Sequence, residues 1–446
     1  MQNASALSKQ FELVDSTSFY LSLRQLLKEL PRDYVGTLSE VQKRYGDLVH
    51  YRALGGFVNM IFISDARTNR ELYVRHSEAL VKSPSQVQTF LFAAGETVAT
   101  AHGDDWRTKR KEANTLFSRQ IVEASCAGQV EVVENYVSSL NTAPQDGMTL
   151  ARRMAALTSS RGILGREISL KEADTQIAFS KAASDRFNAE SGQLFARPNW
   201  MQAPWRRELI RAKGDVFPIV QKAIDDLRGS KAQNDGLMTH YVNGDFVTSN
   251  DAEVLAILVG LLMGAQDNIA SGAGWVLACL ALDRDLQDQI GAEIRDVSTD
   301  AGGLQSCARL RATVAEVLRM RPPAQANQPR VLKQTVEIAG HRLPKGAYVF
   351  NSFFNMHHSQ QAFPAPERFD PSRFLGGELA RSPDYAPFGH GPRNCVAQGM
   401  AVQQLMAIVA GILREHRLGM EGDVLPAMIQ TPFLVPDQFD VELERV

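Results

Sequence analysis

The chain has 446 residues, with 48 Lys and Arg against 50 Asp and Glu and a formal net charge of −2. Its 44% hydrophobic and 22% charged content is ordinary globular composition, which excludes disordered, collagen-like and low-complexity classes. The near-neutral balance also argues against a nucleic-acid partner, which calls for a basic excess. Residues 1–20 lack the basic-then-apolar pattern of a signal peptide, and the longest apolar run, 254–265, is too short to span a bilayer. A cytoplasmic protein without a membrane anchor is expected. Cys126, Cys279, Cys307 and Cys395 form no CxxC pair, which argues against a zinc ribbon or disulfide framework.

Along the chain, residues 1–44 read as an N-terminal segment with the first helices. The β-favouring runs 48–54 and 57–63 flank Gly55-Gly56 and predict a hairpin. The region 87–94 carries Phe90 and Phe92, and a stretch near 187–205 carries Phe187, Phe195 and Trp200. A long helix is predicted over 251–281, capped by Asn250 with Glu253 completing a capping box. Its first half is apolar nearly all round, so it belongs in a large core, and at about 1.5 Å per residue it crosses the whole molecule. A second hairpin is predicted over 334–350, with Pro344 and Gly346 in its turn. A third is predicted over 430–443, around Pro436-Asp437. The fold class is therefore mainly α with smaller β regions (α+β).

The segment richest in chemistry is Phe388-Gly389-His390-Gly391-Pro392-Arg393-Asn394-Cys395, followed by an apolar, helix-like run. A cysteine just before a helix feels the positive end of its dipole, and nearby backbone N–H groups favour the thiolate that binds metal. Glycines let the loop approach a flat ligand closely. Arg393 is placed to neutralise a carboxylate on it. A lone cysteine after a turn is more often a buried structural residue, so the surrounding pattern decides.

That pattern resembles the haem-binding signature FGxGxRxCxG of the cytochrome P450 family, matching at Phe388, Gly389, Gly391, Arg393 and Cys395, with Ala397 replacing the last glycine. The resemblance runs from about residue 45 to the end, so 45–446 is expected to form a single P450 haem domain with the long helix over the haem. It implies haem b (iron protoporphyrin IX) with Cys395 as axial metal ligand. Arg110, Arg330 and Arg393 are implied as propionate partners, with Trp106 and His102 beside them; Trp106 and Arg110 fit the family's WxxxR. Glu316 and Arg319 fit ExxR, and Arg368, in Pro366-Glu367-Arg368-Phe369, is expected to be the third member of their structural lock. The adjacent His357-His358 pair is read as scaffold, since no further ligands with zinc spacing lie nearby.

The oxygen-handling motif of the family, (A/G)Gx(D/E)T, aligns with Gly264-Ala265-Gln266-Asp267-Asn268, and Trp275 supports the register. Ala265 replaces a glycine. Asn268 replaces the threonine whose hydroxyl serves proton delivery; an amide donates through NH₂ and accepts through C=O, and relays protons poorly. Catalytic roles are expected for Ala265, Asp267 and Asn268. Substrate contacts are expected at Phe90, Phe92, Leu261, Leu262, Gln325, Asn327 and Phe433. The implied function is O₂-dependent oxidation of a small organic molecule, free or carrier-tethered, in secondary metabolism, with electrons from ferredoxin and ferredoxin reductase. Asn268 keeps open oxidative coupling, or peroxide-dependent or rearrangement chemistry, on the same fold. A non-catalytic haem sensor is the remaining alternative.

Overall fold

The computed structural model describes residues 11–15, 17–191, 204–229, 235–243 and 251–446. Asn250, Phe195 and Trp200 lie outside the described residues.

The first hairpin forms as its sequence dictates. Leu48–Ala53 and Val58–Ile63 pair antiparallel from Leu48↔Ile63 to Ala53↔Val58. Gly55 and Gly56, at φ +63° and +94°, turn the chain between them in a conformation that suits glycine. The hairpin sits in a six-stranded sheet. Phe11–Asp15 lies on one side of it, and Tyr348–Asn351, Arg330–Leu332 and Leu80–Lys82 follow on the other.

The other two predicted hairpins pair differently. Val336–Ile338 pairs with His341–Leu343 through a turn at Ala339-Gly340, while Tyr348–Asn351 leaves to run parallel to Val58–Ile63. Pro344 and Gly346 thus link two sheets rather than close a hairpin. Near the C-terminus, Leu434–Pro436 pairs with Met428–Gln430, and Asp440–Arg445 pairs with His416–Gly419. In each region one strand closes a short local hairpin, while Tyr348–Asn351 and Asp440–Arg445 take partners farther along the chain.

The Asp251–Ala281 helix has the predicted bounds and, at 31 residues, is about 46 Å long. By length and composition it could cross a membrane, a correction to the expectation drawn from its apolar run alone. From Ile269 to Ala281 every residue is buried, largely in a core built with the Gly147–Leu164 and Gln398–Leu413 helices. Ser271 Oγ and Trp275 Nε1 both donate to Leu434 O, at 2.6 and 2.8 Å, and so tie the C-terminal turn to this helix.

Glu316 and Arg319 are fully buried and bidentate, with Arg319 Nε to Glu316 Oε2 at 2.7 Å and Nη2 to Oε1 at 2.9 Å. The third member is Arg373, whose Nε lies 3.3 Å from Glu316 Oε1. Arg368 is exposed. The sequence offers two similar tetrapeptides, Pro366-Glu367-Arg368-Phe369 and Pro371-Ser372-Arg373-Phe374. The second forms a tight turn capped by Asp370, whose own N–H also donates to Glu316.

His357 belongs to the same lock. Its Nδ1 lies 3.1 Å from Arg319 O, and its Nε2 accepts the Ala386 N–H at 2.9 Å, so the ring is held neutral. Burial lowers its pKa from 6.5 to about 3, and that of His358 to about 4. As pH falls below 6.5 the unfolded chain takes up these protons and the folded site does not. Stability is therefore full above pH 6.5 and falls below it, at roughly 1.4 kcal/mol per pH unit for each ring, until about pH 4 for His358 and about pH 3 for His357. Urea unfolding across this range is expected to show the decline, with a shallower slope in His357→Gln; an identical slope would count against the assignment.

Candidate functional site

The cysteine loop is shaped by close approach. Gly391 has φ +78°, and a Cβ there would fall 1.9 Å from Tyr73 O; a Cβ on Gly389 would fall 3.1 Å from Asn327 Oδ1. The loop closes with Cys395 N donating to Phe388 O at 2.9 Å, and Phe388 packs its ring on the main core. Cys395 opens to its surroundings, unlike Cys126, Cys279 and Cys307, which are buried.

The thiol departs from expectation. Burial within the body of the protein raises its pKa, while the Ala397 N–H and the Arg110 charge pull it back only in part. The free residue is thus a thiol, and deprotonation accompanies metal binding, as is usual for a coordinating cysteine.

Around the loop gathers a cluster of cations. Arg393 stacks over Trp106, 4.1 Å from its centroid. Arg330 stands at a strand end directly opposite Lys82. His102 opens the Gly103–Leu116 helix that carries Trp106 and Arg110. Arg110, expected at a propionate, instead spends its guanidinium on Asn114 and on Asn394 O and Oδ1, the last two at 2.6 and 2.7 Å, so it braces the cysteine loop. Lys82 was missed by sequence reasoning: a lone lysine carries no sign of burial, and only its register with Arg330 reveals it. Its Nζ donates to the carbonyls of Val98, Ala99 and Ala101.

These groups strain one another electrostatically. Burial, then Arg330 and Arg393, lowers Lys82 to about 7; burial, then Arg330, lowers Arg393 to about 10; His102 is lowered by burial, Lys82 and both arginines. Arg330 Nη1 and Arg393 Nη1 are buried without a hydrogen-bond partner. Buried donors left unmatched are costly, so the cluster fits a dianionic group lying against it, as two propionates would.

Beyond Asn327 lies an apolar-walled cavity. The long helix gives it Met263, Gly264 and Asn268, with Asn268 Nδ2 donating to Gly264 O at 2.7 Å. Phe90, Gln325, Asn327 and Phe433 line it as expected, and Phe187 packs edge-on to Phe90. Three expected contacts turn elsewhere. Leu262 is buried in a helical core and Leu261 packs on the same core, while Phe92 lies beneath the Arg186 guanidinium at 3.8 Å. Leu262 sits about 200° round the helix from Gly264, which takes it off the cavity face. Ala265 packs between the two main cores. Asp267 is partly buried and accepts from Ser184 Oγ at 2.5 Å; desolvation raises its pKa, against the pull of Ser184 and Arg152.

The cytochrome P450 family profile matches residues 18–440. This chain is a cytochrome P450. Among curated relatives of the P450, it is 22% identical over 423 residues to a probable cytochrome P450 508D1 of Dictyostelium discoideum, covering 88% of this chain and 85% of that one. It is 25% identical over 337 residues to the cyclooctat-9-en-7-ol 5-monooxygenase of Streptomyces melanosporofaciens, covering 73% of each. The retinoic acid bound cyanobacterial CYP120A1 shares its fold, with a TM-score of 0.77 at 20% identity, covering 93% of this P450 and 95% of that chain. The protein is therefore an oxidoreductase of the P450 monooxygenase family. The family acts on small molecules with electrons from redox partners, and a haem-thiolate cofactor is implied by membership.

Proposed function

We propose that 45–446, with the N-terminal helices packed against its sheet, forms one haem domain in which Cys395 ligates the iron of haem b, and that it oxidises a small, largely apolar organic molecule. The observation that carries this is the orphaned pair Arg330 and Arg393 beside the cysteine loop. Haem, when bound, supplies the electron-rich iron centre at which O₂ is activated. Arg330, Arg393 and His102 hold the propionates, Lys82 adds positive charge, and Trp106 and Arg110 brace the loop. Asp267, its carboxyl pKa pushed up by burial, accepts from Ser184 beside the cavity, and Asn268 lines the cavity wall. Ferredoxin and ferredoxin reductase are the proposed electron source, with a cytoplasmic location and a place in secondary metabolism. A relative named for cyclooctat-9-en-7-ol, a mostly hydrocarbon alcohol, supports the substrate reading. The test is the carbon monoxide difference spectrum of the reduced protein together with its haem content. A thiolate-type band with one haem per chain is expected, and haem-free protein or a non-thiolate band overturns the reading.

One observation favours a second reading. Asn268 engages Gly264 O through its amide, so it offers no hydroxyl for proton delivery, which suits oxidative coupling or peroxide-supported turnover. Asn268→Thr is expected to raise product per electron pair, by up to about tenfold. A fall in product with peroxide-supported turnover unchanged selects the second reading.

A further inference from the structure

The cavity joins two walls from different cores. At one end stand Gly264 and Asn268 of the long helix. At the other stand Leu27, Leu30 and Pro31, from the Leu23–Glu29 helix and the turn after it, with Tyr34, the first residue of the Tyr34–Tyr45 helix. The long helix belongs to the two helical cores, whereas Leu26 and Leu30 belong to the core beneath the six-stranded sheet. Between the ends, Tyr348 and Phe350 sit two apart on one strand, share a face, and line the cavity together.

The far wall is fixed in place. Ser22 and Gln25 form a capping box, and Leu26 is wholly buried. Gln430 Oε1 accepts the Val35 N–H at 2.8 Å, and Tyr34 donates to Asn351 O at 2.9 Å. Among the described residues, the polar side chains on the cavity are uncharged, as in Ser184, Gln325, Gln328 and Thr431. Such groups hydrogen-bond a hydroxyl or carbonyl but leave a buried carboxylate without a countercharge, which is costly.

We infer that the Leu23–Glu29 helix and the turn after it form the far end of the substrate site, and that the site takes an elongated, uncharged, largely hydrocarbon molecule resting there on Leu27 and Leu30. This rests on the reading of the cavity as the substrate site of a haem enzyme. The test is calorimetric titration of the holoenzyme with geraniol, farnesol, geranylgeraniol and geranylgeranoic acid, with absorption spectra recorded alongside. Affinity is expected to rise with each isoprene unit, and the acid to bind at least about tenfold more weakly than its alcohol. Leu27→Trp fills the far end and is expected to weaken geranylgeraniol by about tenfold or more while leaving geraniol within about twofold. Leu27→Ala guards against a disturbed helix: it removes the contact and weakens the long alcohol selectively. Equal effects on long and short alcohols, no effect on either, acid binding as tight as alcohol, or no binding by any of the four overturns the inference. A spectrum without thiolate-ligated haem overturns the haem reading instead, and the calorimetric result still decides the shape of the site.

Discussion

Glu316→Ala is expected to destabilise the protein by about 3–5 kcal/mol, read as a lowered urea midpoint. The magnitude follows from what the change leaves behind. Arg319 is fully buried, and its remaining side-chain hydrogen bonds go to His357 O at 2.9 Å and Pro366 O at 2.7 Å, with the Phe363 ring 5.3 Å from the guanidinium. Two carbonyl dipoles do not neutralise a guanidinium in a dry interior. Arg373 would lose its carboxylate as well, and the Asp370 N–H its acceptor. The lock ties the Ala308–Met320 helix to the segment 366–374 and to the His357 backbone, so its loss loosens the side of the molecule from which the cysteine loop departs. Arg373→Ala is expected to share part of this cost. Arg368→Ala, at an exposed position, should fall within about 0.5 kcal/mol of the parent. A parent-like midpoint for Glu316→Ala, or a larger effect of Arg368→Ala than of Arg373→Ala, would refute the assignment of the lock.

Legibility in the sequence followed how local each determinant is. The 48–63 hairpin is set by two adjacent β-favouring runs and a glycine pair, and the long helix by an unbroken apolar stretch; both stood where the pattern placed them. Tyr348–Asn351 and Asp440–Arg445 were recognisable as strands, but their partners lie far along the chain, and neighbouring turn residues suggested the wrong ones. The same limit applies at the site. Cys395, Arg393, Trp106 and Arg110 stand in short motifs that resemble those of the family, so the resemblance singles them out. Lys82 acquires its place only through strand register with Arg330, and Leu27 only because a helix near the N-terminus packs across the sheet. Phe92, Leu261 and Leu262 failed for a related reason. An apolar residue in the right segment can face either the ligand or the core, and where every side of a helix is apolar the sequence does not set its rotation.

Cys395→Ser is expected to abolish the thiolate-type carbon monoxide spectrum and to lower oxidation by more than the roughly hundredfold that loss of an outer-shell partner alone produces. Serine fits the position. It is smaller than cysteine, and the backbone bond from residue 395 N to Phe388 O and the tight turns at Gly389 and Gly391 do not depend on the side chain. The fold and the cation cluster should therefore survive, so haem would still be held through Arg330 and Arg393 while the residue proposed to ligate its iron is changed. The hydroxyl is a far weaker acid than a thiol. The burial that already raises the Cys395 thiol acts on it too, and the single Ala397 N–H and the Arg110 charge cannot stabilise an alkoxide there. Haem content, thermal midpoint and spectrum measured together separate the outcomes. Bound haem with a changed band and a parent-like midpoint places the ligand at Cys395. An unchanged thiolate band with normal turnover removes Cys395 from the metal and, with it, the proposed role of the loop.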